Sequence, residues 1–220
     1  MWIERALIVL VLLLHQIHGG DGCSPSSCGK IRNISYPFRL KGEPEGCGPF
    51  ALSCENNITL ISLFSGAYHV EAINYNNFTV RVVDPGLQPT NCSSLPRYFI
   101  APYNFSDYSY FEDILGYLRT RGYLPGHGVS GNRKYVDTGG CLNWNSKGYT
   151  YAMAGELLAK DVEVGCDVKL VALTSRWGLD TSNYSYAMMH TSLLYGFHLS
   201  WLRLACEDRC KDDGLCYFNA

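Results

Sequence analysis

The 220-residue chain lacks any apolar run long enough to stay in a bilayer. Its longest, Ala6 to Leu14, covers nine residues, against the roughly 20 that a spanning helix needs. The later apolar segment from Ala187 to Leu204 is interrupted by His190, His198 and Arg203. An excess of one charge is also absent. Eighteen basic and 20 acidic residues leave a formal −2, so the chain as a whole has no polyanion- or polycation-binding character. No internal repeat or low-complexity tract occurs, and 47% hydrophobic and 13% aromatic content excludes a disordered tail. Enzyme signatures are missing as well. The chain has no His-Glu-x-x-His, no phosphate loop and no Gly-x-Ser-x-Gly, to which Gly128-Val129-Ser130-Gly131 only comes close. Nothing in the motifs implies a cofactor or a metal.

What the chain has in quantity is cysteine, ten in all: Cys23, Cys28, Cys47, Cys54, Cys92, Cys141, Cys166, Cys206, Cys210 and Cys216. Their meaning depends on the N-terminus. A basic start at Arg5, the apolar run Ala6–Leu14 and the small residues Gly19, Gly20 and Gly22 have the three-part layout of a secretory leader. We assign residues 1–22 to that leader, so that all ten cysteines stay in the mature chain. In an oxidising compartment an even cysteine count reads as a disulfide framework, and spacing alone leaves its connectivity open. Zinc is disfavoured for Cys206-x3-Cys210-x5-Cys216 and Cys23-x4-Cys28, because such sites pair short-spaced motifs in reducing surroundings.

Export agrees with six N-glycosylation sequons, at Asn33, Asn57, Asn77, Asn91, Asn104 and Asn183. Thirteen Asn and 27 Ser or Thr among 220 residues would give fewer than two by chance. Each sequon marks a position expected to face water, since a glycan cannot enter a core.

The pattern predicts a mainly β fold with a few short helices, of α+β class. Phe78, Val80 and Val82 alternate with Thr79 and Arg81, and Tyr68, Val70 and Ala72 alternate with His69 and Glu71. Tyr75-Asn76-Asn77 between them predicts a hairpin turn. Ile58 to Phe64 supplies a further strand, as do Tyr149–Ala154 and Cys166–Leu173. Helices are predicted at about Tyr110–Arg121, from Phe111, Ile114, Leu115 and Leu118 with Gly122 as stop, and at about Tyr184–Tyr195 with Gly196 as stop. The expected organisation is a cysteine-rich β module over residues 23–110, a helix and Gly-rich connector over 111–131, and a second cysteine-containing module over 132–220.

Two stretches are locally basic. Gly22 to Gly42 holds Lys30, Arg32, Arg39 and Lys41 without an acid, and Ile114 to Val136 holds Arg119, Arg121, Arg133 and Lys134 without one. Tyr36 and Phe38 lie between the two pairs of the first stretch. In extended chain Lys30 and Arg32 share a face, as do Arg39 and Lys41. Cations with aromatics suit an acidic polysaccharide, because guanidinium and ammonium meet carboxylates while rings pack on sugar faces. The bland alternative is a solvated face, with Tyr36 and Phe38 in the core around Pro37. Nucleic acid is excluded as a partner by export. Asp137-Thr138-Gly139 carries the aspartic-protease tripeptide, but that chemistry needs a second copy, and ahead of Gly140-Cys141 it reads as a turn into a bridged cysteine. Glu207, Asp208, Asp212 and Asp213 lack calcium-loop spacing and read as a solvated acidic loop.

Taken together, several motifs resemble the galacturonan-binding domain of plant wall-associated receptor kinases. They are Cys23-x4-Cys28-Gly29, Ile34-Ser35-Tyr36-Pro37-Phe38, and Cys47-Gly48-Pro49-Phe50-Ala51-Leu52-Ser53-Cys54. Tyr68-x-Val70-x-x-Ile73-x-Tyr75-x-Asn77, Val82-Val83-Asp84 and Cys92-Ser93 continue the pattern. Tyr151–Gly155, Cys166 and Leu194–Trp201 resemble the extracellular segment of leaf-rust-resistance-type receptor-like kinases. The resemblance implies a non-catalytic extracellular domain that contacts pectin, as polygalacturonic acid, in the cell wall, with other receptor ectodomains as further partners. It implies no cofactor. In the family a membrane span and a kinase follow; neither is present here, so the expectation is a truncated chain or a secreted soluble form. A protein- or peptide-sensing ectodomain is the second reading. A secreted aspartic-type hydrolase is the third, and it requires Asp137 buried beside another carboxylate.

Overall fold

The computed structural model describes residues 23–64, 66–98, 113–120, 135–142, 150–154, 162, 165–175, 185–202 and 204–205. The leader, the Gly-rich connector, Cys206, Cys210, Cys216 and the acidic residues among them lie outside the described residues. Strands dominate, and the chain divides into two compact units, Met1–Leu60 and Ile61–Ala220.

The first unit holds β1 (Ser26–Cys28), β2 (Ile31–Ile34), β3 (Phe38–Leu40) and β4 (Phe50–Glu55), and β5 (Ile58–Leu63) starts in it. β1 and β2 form an antiparallel pair, whereas β3 and β4 run parallel with Phe38 opposite Phe50 and Leu40 opposite Leu52. A 3-10 turn at Glu45–Cys47 lies in the connection from β3 to β4. The core consists of Cys28, Ile31, Ile34, Phe38, Cys47 and Leu52, all under 10% exposed. So small an apolar set cannot hold 38 residues by itself. Two bridges, Cys23–Cys47 and Cys28–Cys54, lock it.

In the second unit, β6 (Gly66–Asn74) and β7 (Thr79–Val83) form the expected hairpin. The Asn74 carboxamide oxygen accepts from the Asn76 and Asn77 amides and so shapes its turn. The structure corrects two details. Phe78 belongs to the turn, at φ 54, and not to the strand. Between Val70 and Ala72 a bulge shifts the register, so Ala72 faces water while Ile73 turns inward.

A four-stranded sheet runs in the order β11-β8-β10-β9, from β8 (Asp113–Thr120), β9 (Val136–Asp137), β10 (Thr150–Ala154) and β11 (Cys166–Thr174). β8 overturns the helix expected at Tyr110–Arg121. Ile114, Leu115 and Leu118 fit a helical face, but a run this short fits either period. Partners on both edges decide it: Leu115 pairs with Ala154 on one side and Ala172 on the other. The other expected helix forms as α1 (Tyr186–Tyr195), N-capped by the Ser185 hydroxyl, which accepts from Met188 N–H, and closed by Gly196 N–H on Leu193 O. Its Tyr186, Met189 and Leu193 pack with Leu142, Ala152, Ala154 and Ala172 into one apolar cluster. After Gly196 the chain enters β12 (Phe197–Ser200), which pairs antiparallel with β7. Trp201 then lies edge-on to Tyr75 and Phe78 at 5.9 and 6.3 Å, and its amide donates to Phe78 O. The Cys92–Cys141 bridge joins two otherwise distant segments of this unit.

Candidate functional site

The first unit carries the residues singled out for ligand binding, and its fold separates them by role. Lys30 sits in the β1–β2 turn and Arg32 on β2, and both are exposed. β2 does not alternate cleanly: Ile31 and Ile34 are buried while Arg32 and Asn33 both face water, because Asn33 adopts φ 64. Arg39 is half-buried on β3. Its Nε donates to Gly48 O at 2.9 Å and its Nη1 to Glu43 O at 3.4 Å, so the guanidinium closes the loop that leads back to β4. The Glu43 carboxylate is turned to the Leu40 amide at 2.7 Å and makes no ion pair with Arg39. Lys41, exposed just after β3, is held through its amide by Leu52 O. Arg39 and Lys41 thus flank Leu40 at the end of β3, as Lys30 and Arg32 flank Ile31.

The two aromatics part company. Tyr36 is 50% exposed, whereas Phe38 is 2% exposed and belongs to the core, where it cannot present its ring to a ligand. Its place among the binding residues is therefore corrected. Phe50, absent from the sequence-derived set, is 38% exposed and lies 5.6 Å from the Phe38 ring. Its amide donates to the carbonyl of Pro37, next to Tyr36. The parallel pairing that exposes Phe50 leaves no trace in apolar spacing.

The glycines of the two Cys-Gly steps explain themselves at close range. Gly29 has φ 56, and a Cβ there would run into the carbonyl oxygen of Asn57; one at Gly48 would meet the Pro37 carbonyl. Among the sequons, Asn33, Asn57, Asn77 and Asn91 are exposed, and Asn104 and Asn183 lie outside the described residues. Of the second basic stretch, Arg119 falls on β8, and Arg121, Arg133 and Lys134 lie outside the described residues.

In the second unit Asp137 is exposed, and its carboxylate accepts from the Gly139 amide at 2.9 Å. The Thr138 hydroxyl donates to Thr150 O, and Thr138 O accepts from Cys141 N–H. This is the turn into a bridged cysteine, and it lacks the burial that an acid protease requires. Three polar contacts of this unit have no signature in the residue pattern. His190 on α1 is buried, with Nε2 2.9 Å from the Ser94 hydroxyl; burial lowers its pKa. The buried Asp84 carboxylate accepts from the amides of Gly86, Arg97 and Tyr98 and anchors the segment after β7. Arg81 lies 4.8 Å from the Tyr195 ring centroid and donates to Tyr195 O. A cavity of about 20 Å³ lies between Tyr68, Asp84, Tyr98 and Phe197. It has room for about one water and none for a sugar ring. Tyr68 lines it; its hydroxyl is buried without a hydrogen-bond partner among the described residues, with a pKa raised by desolvation and by Asp84.

Comparison with known proteins agrees with the motifs. Residues 23–84 match the family model described as wall-associated receptor kinase galacturonan-binding. An Arabidopsis thaliana protein named leaf rust 10 disease-resistance locus receptor-like protein kinase-like 1.2 is 34% identical over 119 aligned residues. The alignment takes in 44% of this chain and 18% of that protein, so the chain spans under a fifth of the relative it matches. No solved structure matches. Among the described residues, no helix is long and apolar enough to cross a membrane.

Proposed function

We propose that the chain is a non-catalytic extracellular recognition module that binds acidic cell-wall polysaccharide of the pectin type, carried in the apoplast as a disulfide-bridged glycoprotein. The observation that supports this most is the galacturonan-binding family match over residues 23–84, taken with the side chains that the first unit leaves outside. Lys41 is exposed, Arg39 is half-buried without a carboxylate partner among the described residues, and Tyr36 and Phe50 offer ring surface. Guanidinium and ammonium groups would meet uronate carboxylates, and the rings would pack on sugar C–H faces. A ligand held on an open surface suits a polymer. Single exposed ion pairs are each worth under about 1 kcal/mol, so affinity accrues over many sugar units. Disulfides persist in an oxidising compartment, and the three bridges among the described residues support an extracellular location.

The test is binding of the oxidised mature chain to oligogalacturonides, with neutral glucan as control, at two salt concentrations. Selective binding that weakens with salt is expected, because exposed charges are screened. Equal binding to neutral glucan, or no binding by folded and fully bridged protein, would overturn the reading in favour of a protein- or peptide-sensing ectodomain.

A further inference from the structure

The two basic pairs of the first unit differ in what surrounds them. Asn33 follows Arg32 directly, is exposed and holds φ 64. Asn57 is also exposed, at φ 63, and its carbonyl packs against Gly29, the residue before Lys30; the Asn57 Cγ would lie 3.8 Å from a Cβ at that glycine. The Thr59 hydroxyl of the same sequon donates to Cys28 O at 2.8 Å and ties the segment to the β1–β2 turn. Lys30 and Arg32 therefore have a sequon asparagine on either side. From Tyr36 to Asn56 the chain has no sequon, and this stretch contains Arg39, Lys41 and Phe50.

We propose that N-linked glycans on Asn33 and Asn57 cover the Lys30/Arg32 pair and leave Arg39 and Lys41 as the cations that receive a polyuronate. An N-glycan is bulky and hydrated, and two of them beside one hairpin turn exclude a second polysaccharide from it. Arg39, already fixed by Gly48 O and Glu43 O, loses little side-chain freedom when a carboxylate docks. The assignment of the ligand rests on the polysaccharide reading above, but the masking does not.

The experiment uses the mature chain secreted from a glycosylating host, before and after enzymatic trimming of its glycans. Peptide mass spectrometry reads occupancy at Asn33 and Asn57, and an amine-reactive label reads access to Lys30 and Lys41. Occupied sites, with Lys30 labelling faster after trimming and Lys41 labelling unchanged, are expected. With oligogalacturonides and untrimmed protein, Arg39→Gln/Lys41→Gln should lose roughly tenfold in affinity and Lys30→Gln/Arg32→Gln almost nothing. Since Arg39→Gln also loosens the loop to β4, Lys41→Glu alone is the second variant, and it should weaken binding without lowering stability. Empty sequons, unshielded Lys30, or a loss confined to the Lys30/Arg32 variant would overturn the proposal. Shielded Lys30 in a protein that binds no oligogalacturonide would uphold the masking and remove the polyuronate.

Discussion

Which cysteines pair is the feature on which the first unit depends most, and a mutant cycle tests it. The structure joins Cys28 to Cys54 across 26 residues and Cys23 to Cys47 across 24. In the chain-entropy account, cross-links closing loops of this length each stabilise by about 3.5 kcal/mol at 25 °C. With a urea m-value of about 2 kcal/mol/M, loss of one bridge lowers the midpoint by about 1.7 M. Cys28→Ala and Cys54→Ala should each have about this effect, and the double variant should be no worse, because both residues belong to one bridge. Cys28→Ala/Cys47→Ala opens both bridges and should cost about 7 kcal/mol, comparable to the whole stability of a small domain. Urea titrations of the oxidised mature chain followed by far-ultraviolet circular dichroism, with peptide mapping of the bonds, give the measurement. If Cys28→Ala/Cys47→Ala matched either single variant while Cys28→Ala/Cys54→Ala fell to double the loss, the connectivity would be wrong.

Two further outcomes can be checked on the same protein. Burial lowers the pKa of His190 and of His198, the latter also through Arg81, below the ordinary 6.5. The unfolded chain then takes up protons first, so the contribution of these residues is complete above pH 6.5 and is lost as pH falls below it toward the folded-state values. Urea midpoints between about pH 5 and 8 should therefore slope downward on the acid side, less so in His190→Gln/His198→Gln; identical slopes in both proteins would rule the histidines out. Phe38→Ala should cost about 3–4 kcal/mol as a core truncation, whereas Tyr36→Ala should leave the midpoint nearly unchanged and weaken oligogalacturonide binding. A stable Phe38→Ala protein that has lost binding would return Phe38 to the ligand.

Periodicity made much of the fold legible. Alternation located β6 and β7, the paired asparagines located their turn, and spacing with a glycine stop located α1 to within two residues at its start. It failed where one pattern serves two structures. Ile114, Leu115 and Leu118 fit a helix until strands on both sides claim the backbone, and no local spacing announces that pairing. The bulge at Glu71 was equally silent, because it depends on the register with β7. Of the candidate site, charge was legible and depth was not. Lys30, Arg32 and Lys41 face water as basic residues in a small unit must, but Phe38 and Phe50 look alike in sequence and separate only when β3 and β4 run parallel.

The division between buried and exposed residues also bears on what the family resemblance can carry. Cys28, Ile34, Phe38, Cys47 and Leu52 are in the core, and Gly29 and Gly48 are required by close backbone approach. These are the positions that make the motif recognisable, and each is accounted for by packing or bridging alone. A chain that had lost its sugar would keep every one of them, since replacing any would cost the fold. The motif therefore transfers the scaffold, while the proposed ligand contacts fall on residues the motif does not constrain, Lys41 and the half-buried Arg39. Tyr36 and Phe50 are the exceptions, since both belong to the motif and yet expose 50% and 38% of their surface. The Phe50 ring lies 5.6 Å from Phe38 and still leaves area in water, as Tyr36 does, so these two rings are where scaffold and ligand reading meet. Truncating Tyr36 and Phe50 together tests function more directly than removing any cation, because neighbouring charges can substitute for a lost one and an absent sugar platform has no such substitute.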